Sequence, residues 1–180
     1  MQPVVITGPF QQWGLYFIGE INPHSSGQHR WILTTIDYFT KWIEAIPTRN
    51  ANENAFIKFL EENILVRCKC PKKIITNNAP AFKSKKMINF CQKYHINLGH
   101  SIAYYPRGNG LAESSNKSLV KMIKRLLAAN KKAWNTKLKY VLWANRVNTN
   151  KSIGTSHFQL VYGAYVIFPV QLGLPVMKYI

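Results

Sequence analysis

The sequence predicts an α/β domain: a five-stranded mixed sheet flanked by helices. Three observations carry this. At 180 residues with 47% hydrophobic side chains, the chain is long enough to bury one full core. Its first fifty residues hold three apolar, β-branched or aromatic runs joined by short polar links, the pattern of a meander. After residue 50 the apolar period lengthens to that of a helix and then alternates between helical and short strand patterns, which layers helices on a sheet.

The elements follow in order. Residues 1–9 contain two prolines and a glycine and read as a leader. A first strand is expected over Gln11 to Gly19. Asn22 to His29, with Pro23 and Gly27, suits the turn to a second strand, Trp31 to Ile36. Lys41 to Pro47 makes a third. Ala55, Phe56, Phe59, Leu60 and Ile64 recur at helical spacing over 51–66, and Pro71 ends that stretch. Lys73-Ile74-Ile75-Thr76 is a short buried strand. Ser84 caps a helix that sets Met87, Ile88, Cys91 and Tyr94 on one face. Ile96 to Ile102 is the fifth strand. Gly108 and Gly110 precede a long helix, about Leu111 to Asn130, with Leu119, Met122, Ile123, Leu126 and Leu127 as its buried stripe. Trp134, Leu138, Val141 and Leu142 mark another helix. A last short one carries Phe158, Leu160, Val161 and Tyr162 and stops at Gly163. The domain is placed at 10–165, with 166–180 as an extended tail and no second domain.

Charge narrows the partners. With 24 Lys and Arg against 7 Asp and Glu, the formal charge is +17. A folded chain this basic is suited to a polyanion, above all nucleic acid. Three cysteines, Cys68, Cys70 and Cys91, form no even framework and point to a reducing compartment. Neither Cys68 and Cys70 nor His95 and His100 have zinc-site spacing. No apolar run reaches the roughly 20 residues of a membrane span. The Met1-Gln2-Pro3 start lacks the pattern of a secretion signal.

The acids are few: Glu20, Asp37, Glu44, Glu53, Glu61, Glu62 and Glu113. Glu113 lies in the block Tyr104-Tyr105-Pro106-Arg107-Gly108-Asn109-Gly110-Leu111-Ala112-Glu113-Ser114-Ser115-Asn116-Lys117. Thirty-five residues separate it from Asn77, in Ile74-Ile75-Thr76-Asn77-Asn78-Ala79-Pro80. Upstream stands Trp13-Gly14-Leu15-Tyr16-Phe17-Ile18-Gly19. Together with Asp37-Tyr38-Phe39-Thr40-Lys41-Trp42 and Leu160-Val161-Tyr162-Gly163, this order resembles the integrase catalytic core of gypsy-type long-terminal-repeat retrotransposons, over roughly residues 8–175. The resemblance implies a ribonuclease-H-like fold, DNA cutting and joining with Mg²⁺ or Mn²⁺, origin in a polyprotein, a homodimer, and nuclear or cytoplasmic residence. It also implies flanking zinc-binding and DNA-binding domains. The family's three acids fall on Tyr16, Asn77 and Glu113.

Only the third is an acid here. Two divalent cations about 3.5–4 Å apart clamp the attacking and leaving oxygens in such chemistry, and Mg²⁺ demands hard anionic oxygen. A phenol, with an ordinary pKa of about 10, is neutral at cellular pH, and Asn77 offers a carbonyl without charge. Asn78-Ala79 also replaces the glycine-bearing turn of the family. The chain is therefore expected to bind nucleic acid without catalysing strand transfer and without holding metal tightly, with Tyr16 filling the former metal pocket. The resemblance places Asn116 and Lys117 on the helix face toward DNA. Arg107, Asn109, Lys121, Lys124 and Arg125 extend that basic surface, and Lys83, Lys85 and Lys86 form a second patch. Two alternatives stand beside this reading. One is residual turnover by Asp37 and Glu113 with one metal, against a plainer role of Asp37 in orienting the turn before Lys41. The other is a non-enzymatic DNA or protein interaction module.

Overall fold

The computed structural model describes residues 7–77, 79–100, 121, 125, 132–150 and 153–168. Five strands form one mixed sheet in the order β3-β2-β1-β4-β5. They are β1 (Gln12–Ile18), β2 (Trp31–Asp37), β3 (Ile43–Thr48), β4 (Lys73–Thr76) and β5 (Asn97–His100). The first three pair antiparallel as the expected meander, and β4 and β5 join parallel to β1.

Alternation along β1 decides the layers, because successive side chains leave a strand on opposite faces. Trp13, Leu15 and Phe17 join Leu33, Trp42 and Ile74 in one core, under α1 (Glu53–Phe59) and α2 (Lys85–Lys93). Tyr16 and Ile18 join Ile32, Ile36 and Ile75 in the other, against Trp134, Leu138 and Leu142 of α3 (Trp134–Val147). Those three recur every fourth residue, one stripe of the helix. Phe17, Phe56 and Phe82 close the first core as a three-ring cluster, with centroids 4.0–5.9 Å apart.

Local signals fix the helices. Asn52 caps α1 by accepting from the Ala55 amide at 3.0 Å. The helix continues into a π-helical turn, Leu60–Leu65, which still buries Leu60 and Ile64. Ser84 caps α2 through the Met87 amide, as expected. The buried face of α2 is a correction: it is Met87, Phe90 and Cys91, whereas Ile88 is 41% exposed and Tyr94 only partly covered. Residue 88 stands 100° round the helix from 87, and Phe90 completes the i, i+3, i+4 triplet. Lys41 is also outside its expected strand, at φ 61° in the turn before β3. After a small hairpin of β6 (Thr149–Asn150) and β7 (Thr155–Ser156), α4 (His157–Tyr162) ends at Gly163, whose φ of 68° favours glycine. Lys121 and Arg125 are helical and exposed, as the long helix requires. The rest of that helix, and the tail from 169, lie outside the described residues.

Candidate metal-site edge and its surroundings

The parallel pairing of β1 with β4 runs from Gln12↔Lys73 to Leu15↔Thr76. The next residues are Tyr16, still within β1, and Asn77, just past the end of β4, so both follow directly on the last register pair. Thr76 pairs with His100 at the end of β5, and the Thr76 hydroxyl and His100 Nδ1 are hydrogen-bonded at 2.9 Å. This carboxyl-terminal edge therefore sets His100 beside Thr76, with Asn77 following the end of β4. Glu113, Arg107, Asn109, Asn116, Lys117 and Lys124 lie outside the described residues.

Tyr16 does not reach into solvent. It is 8% exposed, and its ring folds back along β1. A β-carbon placed on Gly14 would lie 2.7 Å from both Cε2 and the hydroxyl of Tyr16, so the strand needs glycine there to seat the ring. The Tyr16 and Tyr38 hydroxyls stand 3.4 Å apart. Burial raises the Tyr38 pKa above the ordinary phenol value, and the hydrogen bond from Tyr16 offsets part of this. Asn77 is exposed, and its Oδ1 accepts from the Ala79 amide at 3.1 Å. That bond starts the turn into Pro80–Lys83, beyond which Lys83, Lys85 and Lys86 are all exposed. Among the described residues, no three of His, Cys, Asp and Glu form a group able to hold a metal.

Asp37 holds the turn before Lys41, the plainer of its two expected roles. Its register partner is Trp13, roughly 10 Å of strand before Tyr16. It is fully buried, and both oxygens are engaged. Oδ1 accepts from the Phe10 amide at 3.0 Å; Oδ2 accepts from the Thr40 amide at 2.8 Å and the Thr40 hydroxyl at 2.7 Å. Burial raises its pKa, against the pull of those bonds.

The same turn is fastened to α4. His157 is buried, with Nδ1 2.8 Å from the Thr40 carbonyl oxygen and Nε2 3.4 Å from Asn150 Nδ2. Burial, aided by Lys41, lowers the His157 pKa despite the bond to Thr40. The native state thus refuses a proton that the unfolded chain accepts near pH 6.5, so stability present above that pH is lost as pH falls through the window below it. His29, lowered by burial and by Arg49, acts in the same direction. Asp37, being raised, acts the other way at lower pH. Urea midpoints are expected to drop between pH 7.5 and 5.5, with a shallower drop in His157→Asn.

The charged cluster that the sequence reading missed centres on Glu44, 4% exposed in β3. Its Oε1 accepts from Trp42 Nε1 at 2.9 Å and from Arg146 at 2.8 Å, and its Oε2 from Arg67 at 3.2 Å. Arg146 also donates to the Ile43 carbonyl and lies over the Trp42 ring, 4.3 Å from its centre. The signal was available: a lone acid amid Trp42, Ile43, Ala45 and Ile46 needs a partner.

Comparison with known proteins agrees with this architecture. The integrase core domain family matches residues 7–106. The Pol polyprotein of feline endogenous virus ECE1 is 31% identical over 156 residues, covering 86% of this chain and 15% of that protein. The Gag-Pol polyprotein of baboon endogenous virus (strain M7) is 31% identical over the same length, covering 86% and 9%. The chain thus spans only a small part of the curated relatives it matches. Among solved structures, the simian T-cell lymphotropic virus intasome in complex with PP2A regulatory subunit B56 gamma aligns with a TM-score of 0.74 at 20% identity, over 96% of this chain and 60% of that one. The HTLV-2 integrase catalytic core domain in complex with magnesium aligns at 0.69 and 19%, over 87% and 99%. At these identities the structures speak to the fold, which is ribonuclease-H-like.

Proposed function

This chain belongs to the integrase core domain family, and from that membership we propose that it is a nucleic-acid-binding core of a long-terminal-repeat element that has lost two-metal strand transfer. One observation carries the reading. The β1–β4 register runs to Leu15↔Thr76, so Tyr16 and Asn77, where the resemblance expects two carboxylates, both follow directly on its last pair. The residues present do not fit a pair of divalent ions. Tyr16 supplies a neutral, buried phenol turned back over Gly14, and Asn77 offers an uncharged carbonyl oxygen that already accepts from the Ala79 amide. Glu113 alone brings one negative charge against four positive ones. The HTLV-2 core, by contrast, was solved with magnesium, in dimeric and trimeric forms. Assembly of this chain into oligomers is part of the proposal.

Binding without turnover follows from the charge. The +17 excess and the exposed Lys83, Lys85, Lys86, Lys121 and Arg125 supply sequence-independent affinity for phosphates. A short duplex incubated with the purified chain and Mg²⁺ or Mn²⁺ is expected to show neither end processing nor strand transfer above a protein-free blank. Turnover that disappears in Glu113→Gln overturns the reading.

A further inference from the structure

One buried group fastens the last described segment of the chain to the turn between β2 and β3. We propose that the β6–β7 hairpin and α4 form a pH-sensitive flap: protonation of His157 releases them from Thr40 and takes Tyr162 off the Trp42 ring, while the five-stranded sheet stays folded.

Burial is the first argument. Among the described residues from 149 to 168, His157 is the only buried one, 3% exposed. Phe158 and Val161 pack on the core only in part. Tyr162 is exposed, and meets Trp42 edge-on with ring centres 5.8 Å apart; Phe158 meets the half-exposed Trp143 at 6.1 Å. A helix of six residues does not persist alone, so α4 depends on this docking.

Hydrogen bonding is the second. A carbonyl oxygen only accepts, so the 2.8 Å approach of His157 Nδ1 to the Thr40 oxygen puts a proton on Nδ1. In the neutral ring Nε2 is then an acceptor, and the Asn150 Nδ2 group stands 3.4 Å from it as a donor. A second proton on the ring sets the new N–H against that amide. The two bonds that tie α4 to the turn and to the hairpin therefore both require the neutral ring.

Neighbouring charges do not relieve the conflict. Lys41, on the turn, acts against a positive ring. Asp37 is taken up by the Phe10 and Thr40 amides and the Thr40 hydroxyl. From α3 comes Arg146, held by Glu44 of β3, which also answers Arg67. The described residues of the hairpin carry no charge. A buried imidazolium here lacks an anion, and leaving the pocket is its route to water.

Hydrogen exchange read by mass spectrometry at pH 7.5 and 5.5, with rates corrected for intrinsic chemistry, tests the flap. A ring that takes its proton only when released, near the ordinary value of 6.5, raises the open population about tenfold at pH 5.5. Protection of the α4 amides is expected to fall by that factor, with β1 and β2 amides unchanged. His157→Asn keeps a side-chain N–H for Thr40 and takes no proton, so its α4 protection is expected to be the same at both pH values. Asn150→Asp offers the new N–H an acceptor and is expected to keep the flap closed at pH 5.5. Unchanged α4 protection in the unaltered chain overturns the inference, as does an equal fall in His157→Asn or a simultaneous fall across β1 and β2. Should His157→Asn fail to protect its sheet at pH 7.5, Asn150→Asp decides, and a fall equal to that of the unaltered chain overturns the flap.

Discussion

Replacing Arg146 with alanine is expected to lower the stability of the fold by about 3–5 kcal/mol, the cost of leaving one partner of a buried ion pair behind. The guanidinium does three things at once: it answers Glu44 at 2.8 Å, covers the Ile43 carbonyl and lies on the Trp42 ring. Without it, Glu44 retains Trp42 Nε1 and Arg67, whose side chain is half exposed. Arg67→Ala is correspondingly expected to cost under about 1 kcal/mol. Removing both charges by Glu44→Met with Arg146→Leu should recover much of the loss, since an apolar pair of similar volume can replace a buried ion pair. Urea unfolding of the unaltered chain, Glu44→Met, Arg146→Leu and the double variant measures the coupling directly. The cluster joins β3, the segment after α1 and the last turn of α3, so its loss should lower the unfolding midpoint of the whole domain.

The second large effect is at Tyr16. Tyr16→Asp is expected to destabilise the chain by about 3–5 kcal/mol, because it both removes a buried ring and places a carboxylate among Ile32, Ile36 and Trp134. Tyr16→Phe separates the two causes: it keeps the buried ring and loses the hydroxyl, with its contact to the Tyr38 hydroxyl, at a cost of about 1 kcal/mol. The double variant Tyr16→Asp with Asn77→Asp adds a further test. If the edge can again gather divalent ions, millimolar Mg²⁺ should raise its melting temperature, because a ligand of the folded state alone stabilises it. The unaltered chain should show no such rise at matched ionic strength. A double variant that melts identically with and without Mg²⁺ would mean that the altered Asn77-to-Pro80 turn also prevents metal uptake.

Much of this fold was legible because period and capping are local. The meander followed from its apolar runs, and Ser84 and Gly163 sit where their chemistry says helices begin or end. The errors have local causes as well. Ile88 looked buried because it is apolar, yet the helix turns it away from the triplet Met87, Phe90 and Cys91. Lys41 read as strand because Trp42 and Ile43 follow it, while Asp37 and Thr40 had already closed a turn. At the site, order and spacing nominate Tyr16 and Asn77, but nothing in spacing tells where a ring will lie. The fold of Tyr16 over Gly14 is a packing outcome. So is the Glu44 cluster, whose partners Arg67 and Arg146 come from distant parts of the chain.

The position of β3 at one end of the sheet has a consequence for how molecules of this chain meet. An outermost strand offers a free ladder of backbone donors and acceptors on which a neighbour can grow more sheet. Here Pro47 contributes no N–H, and Arg146 occupies the Ile43 carbonyl. The rim is blunted at both ends, so self-association of this aromatic-rich chain through intermolecular strand addition, and with it precipitation during refolding, is suppressed on that side.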